Sequence, residues 1–282
     1  MPQVLAVADG VVEDPVAGAM PGLGGAGSPK TRVERGRALL SAPWRLLLLM
    51  SVLWPVLWLQ ATYLRRITMR MPEPPGRRAG TTGRGPLVRL LVAGDSGAAG
   101  AGAPTQEQAL CGQLVRCLSQ HHTVHWLVLA ANGLDSPGLL KLLEEAPSAR
   151  FDVVVLSIGA NDATGLLSPL QWALWQDRLA ALIAHRFEPA LLVHSAVPPM
   201  HACLALPQPL RWFMGRWAQQ MNETLAGLLP VLGGRIVHWH PETTTTLGMA
   251  EDGIHPSPAG YAAWAEGLSP HILARAAAWP SA

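Results

Sequence analysis

Four separated stretches of this chain carry the residue types needed to attack and hold a carbonyl group. Ser96 lies in GDSGAAGAG (residues 94–102). A Ser at a tight strand-to-helix turn presents its hydroxyl beside the free N–H groups and positive dipole of a helix start, which suits an oxyanion. Two plainer readings stand beside it. One is a glycine turn with a capping Ser. The other is a phosphate-binding loop, but that fingerprint needs G-x-G-x-x-G, and the glycines here run G-x-x-G-x-x-G-x-G. Gly133 in ANGLDS (131–136) allows close backbone approach, or simply closes a turn. Asn161 in GANDAT (159–164) offers an amide donor, or a helix cap. Asp252 and His255 stand three apart in EDGIHPSPAGY (251–261). His with a nearby carboxylate is the base and orienter of nucleophilic catalysis; the alternative is a turn-capping Asp beside a solvated His.

The elements around these stretches alternate. From residue 87, LVRLLVAG, TVHWLVLA, FDVVVLSIG, ALLVHSAV and RIVHWH read as strands. They are continuous apolar runs, the pattern of strands covered on both faces. TQEQALCGQLVRCLSQ, SPGLLKLLEEA, SPLQWALWQDRLAALIAHR, PLRWFMGRWAQQMNETLAGLLP and SPAGYAAWAEGLSPHILARA read as the helices between and after them. Strict alternation implies an α/β fold, a three-layer α/β/α sandwich with a five-stranded parallel sheet. Ligands in such sheets bind at the carboxyl ends of the strands, where each candidate stretch falls.

The chain of 282 residues divides into unequal parts. Residues 1–37, rich in Gly, Ala and Pro, are expected to be a disordered extension. Residues 38–66 hold the next unit, whose stretch 46–64 has no charge. As a helix it would reach about 28 Å, close to one bilayer core. The expectation is a single N-terminal membrane anchor and a membrane-associated protein; the alternatives are a helix lying on a membrane or packed on the domain, and a cytoplasmic location. Arg residues flank both ends, so the positive-inside rule assigns no orientation. Residues 67–86 form a Pro/Gly/Arg linker expected to be extended and solvated. Residues 87–282 are the catalytic-type domain.

Composition narrows the function. Hydrophobic residues make up 49% and charged ones 14%, so a large core forms and wholesale disorder is excluded. A net charge of +2 gives no general nucleic-acid surface. Three Cys (Cys111, Cys117, Cys203) make neither a disulfide scaffold nor a paired zinc motif. His121, His122 and His125, and the pair His238 and His240, have no Cys or carboxylate set that completes a metal site. No metal and no cofactor are expected.

Taken together, Gly94-Asp95-Ser96, Gly133, Gly159-x-Asn161-Asp162 and Asp252-x-x-His255, in this order, resemble the SGNH hydrolases, also called GDSL esterases. The similarity covers about residues 87–275 and is greatest to bacterial members reading GDS-x-AAG-x-GA and SIGAND. It implies a flavodoxin-like SGNH fold and a serine esterase or lipase acting on small acyl, aryl or lipid esters. It implies Ser96 as nucleophile, His255 as base and Asp252 as its orienter, with the Ser96 and Gly133 N–H groups and the Asn161 amide as oxyanion donors. Asp95 and Asp162 are expected to be turn and hydrogen-bonding residues. Gly97 departs from the Leu common after the family's Ser. Other readings are an acyltransferase or deacetylase of envelope components, a catalytically silent tethered binding module, and a nucleotide-binding protein. An α/β-hydrolase is disfavoured: its G-x-S-x-G follows a middle strand, and Gly is missing at position 98.

Overall fold

A computed structural model describes residues 44–67, 71–232, 236–239 and 248–276. The expected extension over residues 1–37, and His240 of the second His pair, lie outside them. In chain order the elements are α1 (Trp44–Ile67), β1 (Ala79–Gly83), β2 (Leu87–Gly94), α2 (Ser96–Ala99), α3 (Leu110–Leu118), β3 (Thr123–Ala130) and α4 (Ser136–Glu145). They continue as β4 (Val153–Ser157), α5 (Ala160–Thr164), α6 (Pro169–Phe187), β5 (Leu191–Ser195), α7 (Leu210–Leu232), β6 (Ile236–Trp239) and α8 (Pro258–Ala276).

The strands lie side by side as β1-β3-β2-β4-β5-β6. The five expected strands are present and parallel, and their order is flavodoxin-like. A sixth was not expected: β1 pairs antiparallel with β3 at the sheet edge. The strands separate their side chains by the period of two. Leu90, Val92, Val153, Val155 and Val193 face Leu110, Leu114, Tyr261, Leu268 and Ile272 of α3 and α8. Leu91, Ala93, Val154, Leu156 and Leu192 face Leu139, Leu143, Leu179 and Ile183 of α4 and α6. Both faces are therefore covered, which explains why the strands read as unbroken apolar runs. The central strand β2 lies between β3 and β4, so the chain leaves it to opposite sides. That reversal opens a crevice at the carboxyl ends of β2, β3 and β4.

The expectation of a membrane-spanning N-terminal helix is not supported. Residues 46–64 do lie in a helix, but among the described residues no helix is long and apolar enough to cross a membrane. One side of α1 packs on the domain. Leu57 is buried in a cluster with Ala163, Trp172 and Leu210. The Gln60 amide donates to the Gln208 carbonyl at 2.7 Å and accepts from the Leu210 N–H at 3.2 Å. Hydropathy over a window does not tell a lipid-facing side from a protein-facing one. Part of residues 67–86 joins the sheet. Residues 79–83 form β1, and residues 71–78 are tied to the domain. The Gln106 N–H donates to the Pro75 carbonyl at 2.9 Å, and the Val128 N–H donates to the Arg78 carbonyl at 2.7 Å.

Candidate active site

The turn after β2 is forced by Gly94. Its φ is +153°, and a Cβ there would lie 1.8 Å from the Ser157 carbonyl oxygen of β4. Only Gly lets β2 approach β4 this closely and still turn at once into α2. Asp95 then caps α2: its Oδ1 accepts from the Gly97 N–H at 3.0 Å. Ser96 is thereby the first helical residue, at the mouth of the crevice.

His255 arrives from the loop before α8. Its Nε2 is 2.9 Å from Ser96 Oγ, and its Nδ1 is 2.6 Å from Asp252 Oδ2. Asp252 Oδ1 accepts from the Ile254 and His255 N–H groups, each at 3.0 Å. Burial works to raise the Asp252 carboxyl, but the His255 ring and these two backbone donors outweigh it and hold it below the ordinary value. An ionised Asp252 only accepts, so Nδ1 carries the ring hydrogen. The Nε2 lone pair then faces the Ser96 hydroxyl. The loop is held to the Ser96 turn by Gly102, where a Cβ would lie 2.5 Å from the Pro256 carbonyl oxygen and 3.1 Å from His255 Cβ.

Gly133 and Asn161 follow the strands on either side of β2. Gly133 has φ +80°, and no heavy atom lies within 4 Å of where its Cβ would be. Its N–H belongs to an open turn. Asn161 stands in the first turn of α5, after Gly159 at φ +131°. One Asn161 amide hydrogen is donated to the Leu134 carbonyl at 2.8 Å. This ties the Asn161 helix to the Gly133 turn and leaves the second amide hydrogen for another acceptor.

Asp95 and Asp162 are structural acceptors, as expected. Asp162 accepts from the Ser136 N–H at 3.1 Å and from its hydroxyl at 3.0 Å, another tie between α5 and the start of α4. Burial raises both carboxyls; Asp95 is pushed up to about 7, with the Asp162 charge adding to the effect. Sequence reasoning missed the buried continuation of this network. Gln176 donates to Ser136 Oγ at 2.9 Å, and its Oε1 lies 2.9 Å from His194 Nε2. Burial, then the neighbouring His238, push the His194 ring down to about 3. Nor did a motif mark Trp264, whose indole N–H donates to Ser195 Oγ at 3.2 Å. Its ring edge would lie 3.6 Å from a Cβ on Gly97. Of the His cluster, His125 Nδ1 lies 3.0 Å from Thr81 Oγ1. Among the described residues no three His, Cys, Asp or Glu side chains are grouped to hold a metal ion.

Comparison with known proteins agrees with this fold. Residues 92–263 match the model of the GDSL-like lipase/acylhydrolase family. A search of curated proteins finds no match. Among solved structures, a carbohydrate esterase family 2 enzyme with a carbohydrate-binding domain, from Corynascus thermopiles (Myceliophthora fergusii), superposes with a TM-score of 0.56 at 16% identity, covering 75% of this chain and 69% of that one. A carbohydrate acetylesterase family member from Sinorhizobium meliloti gives 0.51 at 17% identity, covering 67% and 98%. An extracellular lipase from Streptomyces rimosus gives 0.50 at 17% identity, covering 67% and 99%. At such identities the likeness concerns the fold. The family match spans more than half the residues, all four motif stretches included: the chain belongs to the GDSL-like lipase/acylhydrolase family and is an enzyme of esterase and lipase type.

Proposed function

We propose that this enzyme cleaves carboxylic esters in two steps through an acyl-enzyme at Ser96. The observation that carries the reading is the unbroken line from Ser96 Oγ to His255 Nε2 at 2.9 Å and from Nδ1 to Asp252 at 2.6 Å. Ser96 Oγ bonds to the ester carbonyl carbon while its proton passes to Nε2. The carbonyl π electrons move to oxygen, and the Ser96 and Gly133 N–H groups and the second Asn161 amide hydrogen would donate hydrogen bonds to the oxyanion formed. Collapse breaks the bond to the alkoxy oxygen, which leaves with the proton from Nε2. Water then repeats the sequence on the acyl-Ser96 ester and releases the carboxylic acid. Asp252 keeps its charge throughout and stabilises the imidazolium. Each oxyanion donor is worth roughly 10²–10³ in rate. The test is p-nitrophenol release from acetyl to decanoyl esters, with an acetylated sugar in the same panel. Turnover by the full chain that vanishes in Ser96→Ala supports the reading; undiminished turnover in that variant refutes it.

A second reading concerns where the ester is met. Val52, Val56, Leu59 and Tyr63 recur at helical spacing along α1, with Trp54 and Trp58 beside them, and all six are exposed. No charge lies between Arg45 and Arg65. An apolar and aromatic helix surface bracketed by Arg suits the boundary of an anionic bilayer. We propose that α1 rests on such a surface without crossing it and brings lipid esters to the site. Flotation with phosphatidylglycerol-containing vesicles tests this: the full chain should float and Val56→Asp/Leu59→Asp should not. Equal recovery of both would reject it.

A further inference from the structure

The turn that carries Gly133 is weakly held from within. Its closing bond, from the Leu134 N–H to the Ala131 carbonyl, is stretched to 3.5 Å. Nothing packs where a Gly133 Cβ would be. Internal packing therefore does not fix the direction of the Gly133 N–H. Beyond the Asn161 bond to Leu134, the turn is gripped by the segment before the sheet. The Asn132 N–H donates to Glu73 Oε1 at 2.8 Å, and the Asn132 side-chain amide donates to the Met71 carbonyl at 2.8 Å. Holding Asn132 by both its backbone and its side chain fixes the dihedrals that set the next peptide plane, and the Gly133 N–H lies in that plane.

The segment that does this is itself anchored. Glu73 Oε2 is 3.3 Å from an Arg78 guanidinium nitrogen. Pro74 is buried, and its carbonyl accepts from the Gln106 amide at 3.3 Å; the same amide donates to the Ala99 carbonyl at 3.0 Å, at the end of the nucleophile helix α2. Gly76, at φ +130°, would place a Cβ 2.9 Å from Gln106 Cβ, so Gly is required there for the segment to lie flat. One strap thus holds the turn that carries Gly133 directly and reaches the helix that begins with Ser96 through Gln106. It lies outside residues 92–263, the part matched to the family.

We infer that Glu73 is a positioning residue for the oxyanion hole, aiming the Gly133 N–H through its hold on Asn132. This rests on the reading of Gly133 as an oxyanion donor. The role asks only for an acceptor at Glu73. Gln supplies one without the charge, and Ala supplies none. Glu73 is partly exposed, so its loss should leave the fold intact.

The experiment measures kcat and KM of the full chain for p-nitrophenyl acetate in the wild type, Glu73→Ala, Glu73→Gln, Asn161→Ala and Ser96→Ala, with the Tm of each. Glu73→Ala should lower kcat about tenfold with KM within about twofold, because a misaimed donor loses part of its roughly 10²–10³. Glu73→Gln should recover most of that loss. A kcat for Glu73→Ala within twofold of wild type overturns the inference. So does a Glu73→Gln as impaired as Glu73→Ala, which would assign the effect to the Arg78 ion pair. If Ser96→Ala is inactive and Asn161→Ala impaired while Glu73→Ala is unaffected, this inference alone fails. Persisting turnover in Ser96→Ala would instead overturn the catalytic reading beneath it.

Discussion

Asp95 sits beside Ser96 with only 5% of its surface exposed, and its replacement by Asn tests the electrostatics of the turn. Burial, opposed by the Gly97 N–H and reinforced by the Asp162 charge, raises its carboxyl from 3.8 to about 7. In the unfolded chain this group loses its proton near 3.8, in the folded one near 7. Across that window the folded state binds more protons, so stability falls as pH rises. The penalty is absent below the lower value and complete above the upper one. A difference of about three units at 1.36 kcal/mol each makes it about 4 kcal/mol at most. Asn keeps a carbonyl oxygen that can accept from the Gly97 N–H, and it never ionises. Asp95→Asn should therefore be more stable than wild type by about 2–4 kcal/mol near pH 8.5, and about equal to it near pH 3.5. For a chain of this size that is a rise in Tm of roughly 5–15 °C at the higher pH. Urea unfolding at four pH values, followed by circular dichroism, measures it. A stability difference that does not change with pH, or a wild type that is more stable at pH 8.5, would refute the reasoning.

Other substitutions follow from the same geometry. Asp252→Asn leaves an acceptor for the Ile254 and His255 N–H groups but removes the charge that holds the ring tautomer; kcat on p-nitrophenyl acetate should fall by roughly 10³–10⁴ while the fold persists. Gly94→Ala meets the Ser157 carbonyl, and the soluble yield and Tm should collapse; a well-folded Gly94→Ala would contradict the close packing of β2 on β4. Trp172, fully buried between α6 and the Gly159 turn, should cost about 3–5 kcal/mol on replacement by Ala, read from urea midpoints.

What the sequence revealed differs by element for physical reasons. Strands β2, β4 and β5 are covered on both faces and could be read as continuous apolar runs. β1, with the sequence AGTTG, could not: it joins the sheet through its backbone, and four of its five residues are exposed. Ser96, Asp252 and His255 stood out because the four stretches, in their order, resemble one family, and the structure brings these three side chains together. Glu73 and Met71 left no mark, since one acts as an ordinary acceptor and the other only through its carbonyl. Gln176 and His194 meet across 18 residues inside the core, where no local pattern joins them. Apolar length over 46–64 is common to a bilayer helix and to one that, like α1, buries Leu57 against its own domain, so length alone does not distinguish them.

The central claim is that Ser96 is a nucleophile activated by His255, and covalent labelling tests it most directly. The full chain would be treated with a fluorophosphonate, digested and mapped by mass spectrometry, beside Ser96→Ala and His255→Ala. One adduct is expected, on Ser96, absent from Ser96→Ala and formed at least about a hundredfold more slowly in His255→Ala. An unlabelled Ser96 in a folded chain, or equal labelling rates with and without His255, would contradict it.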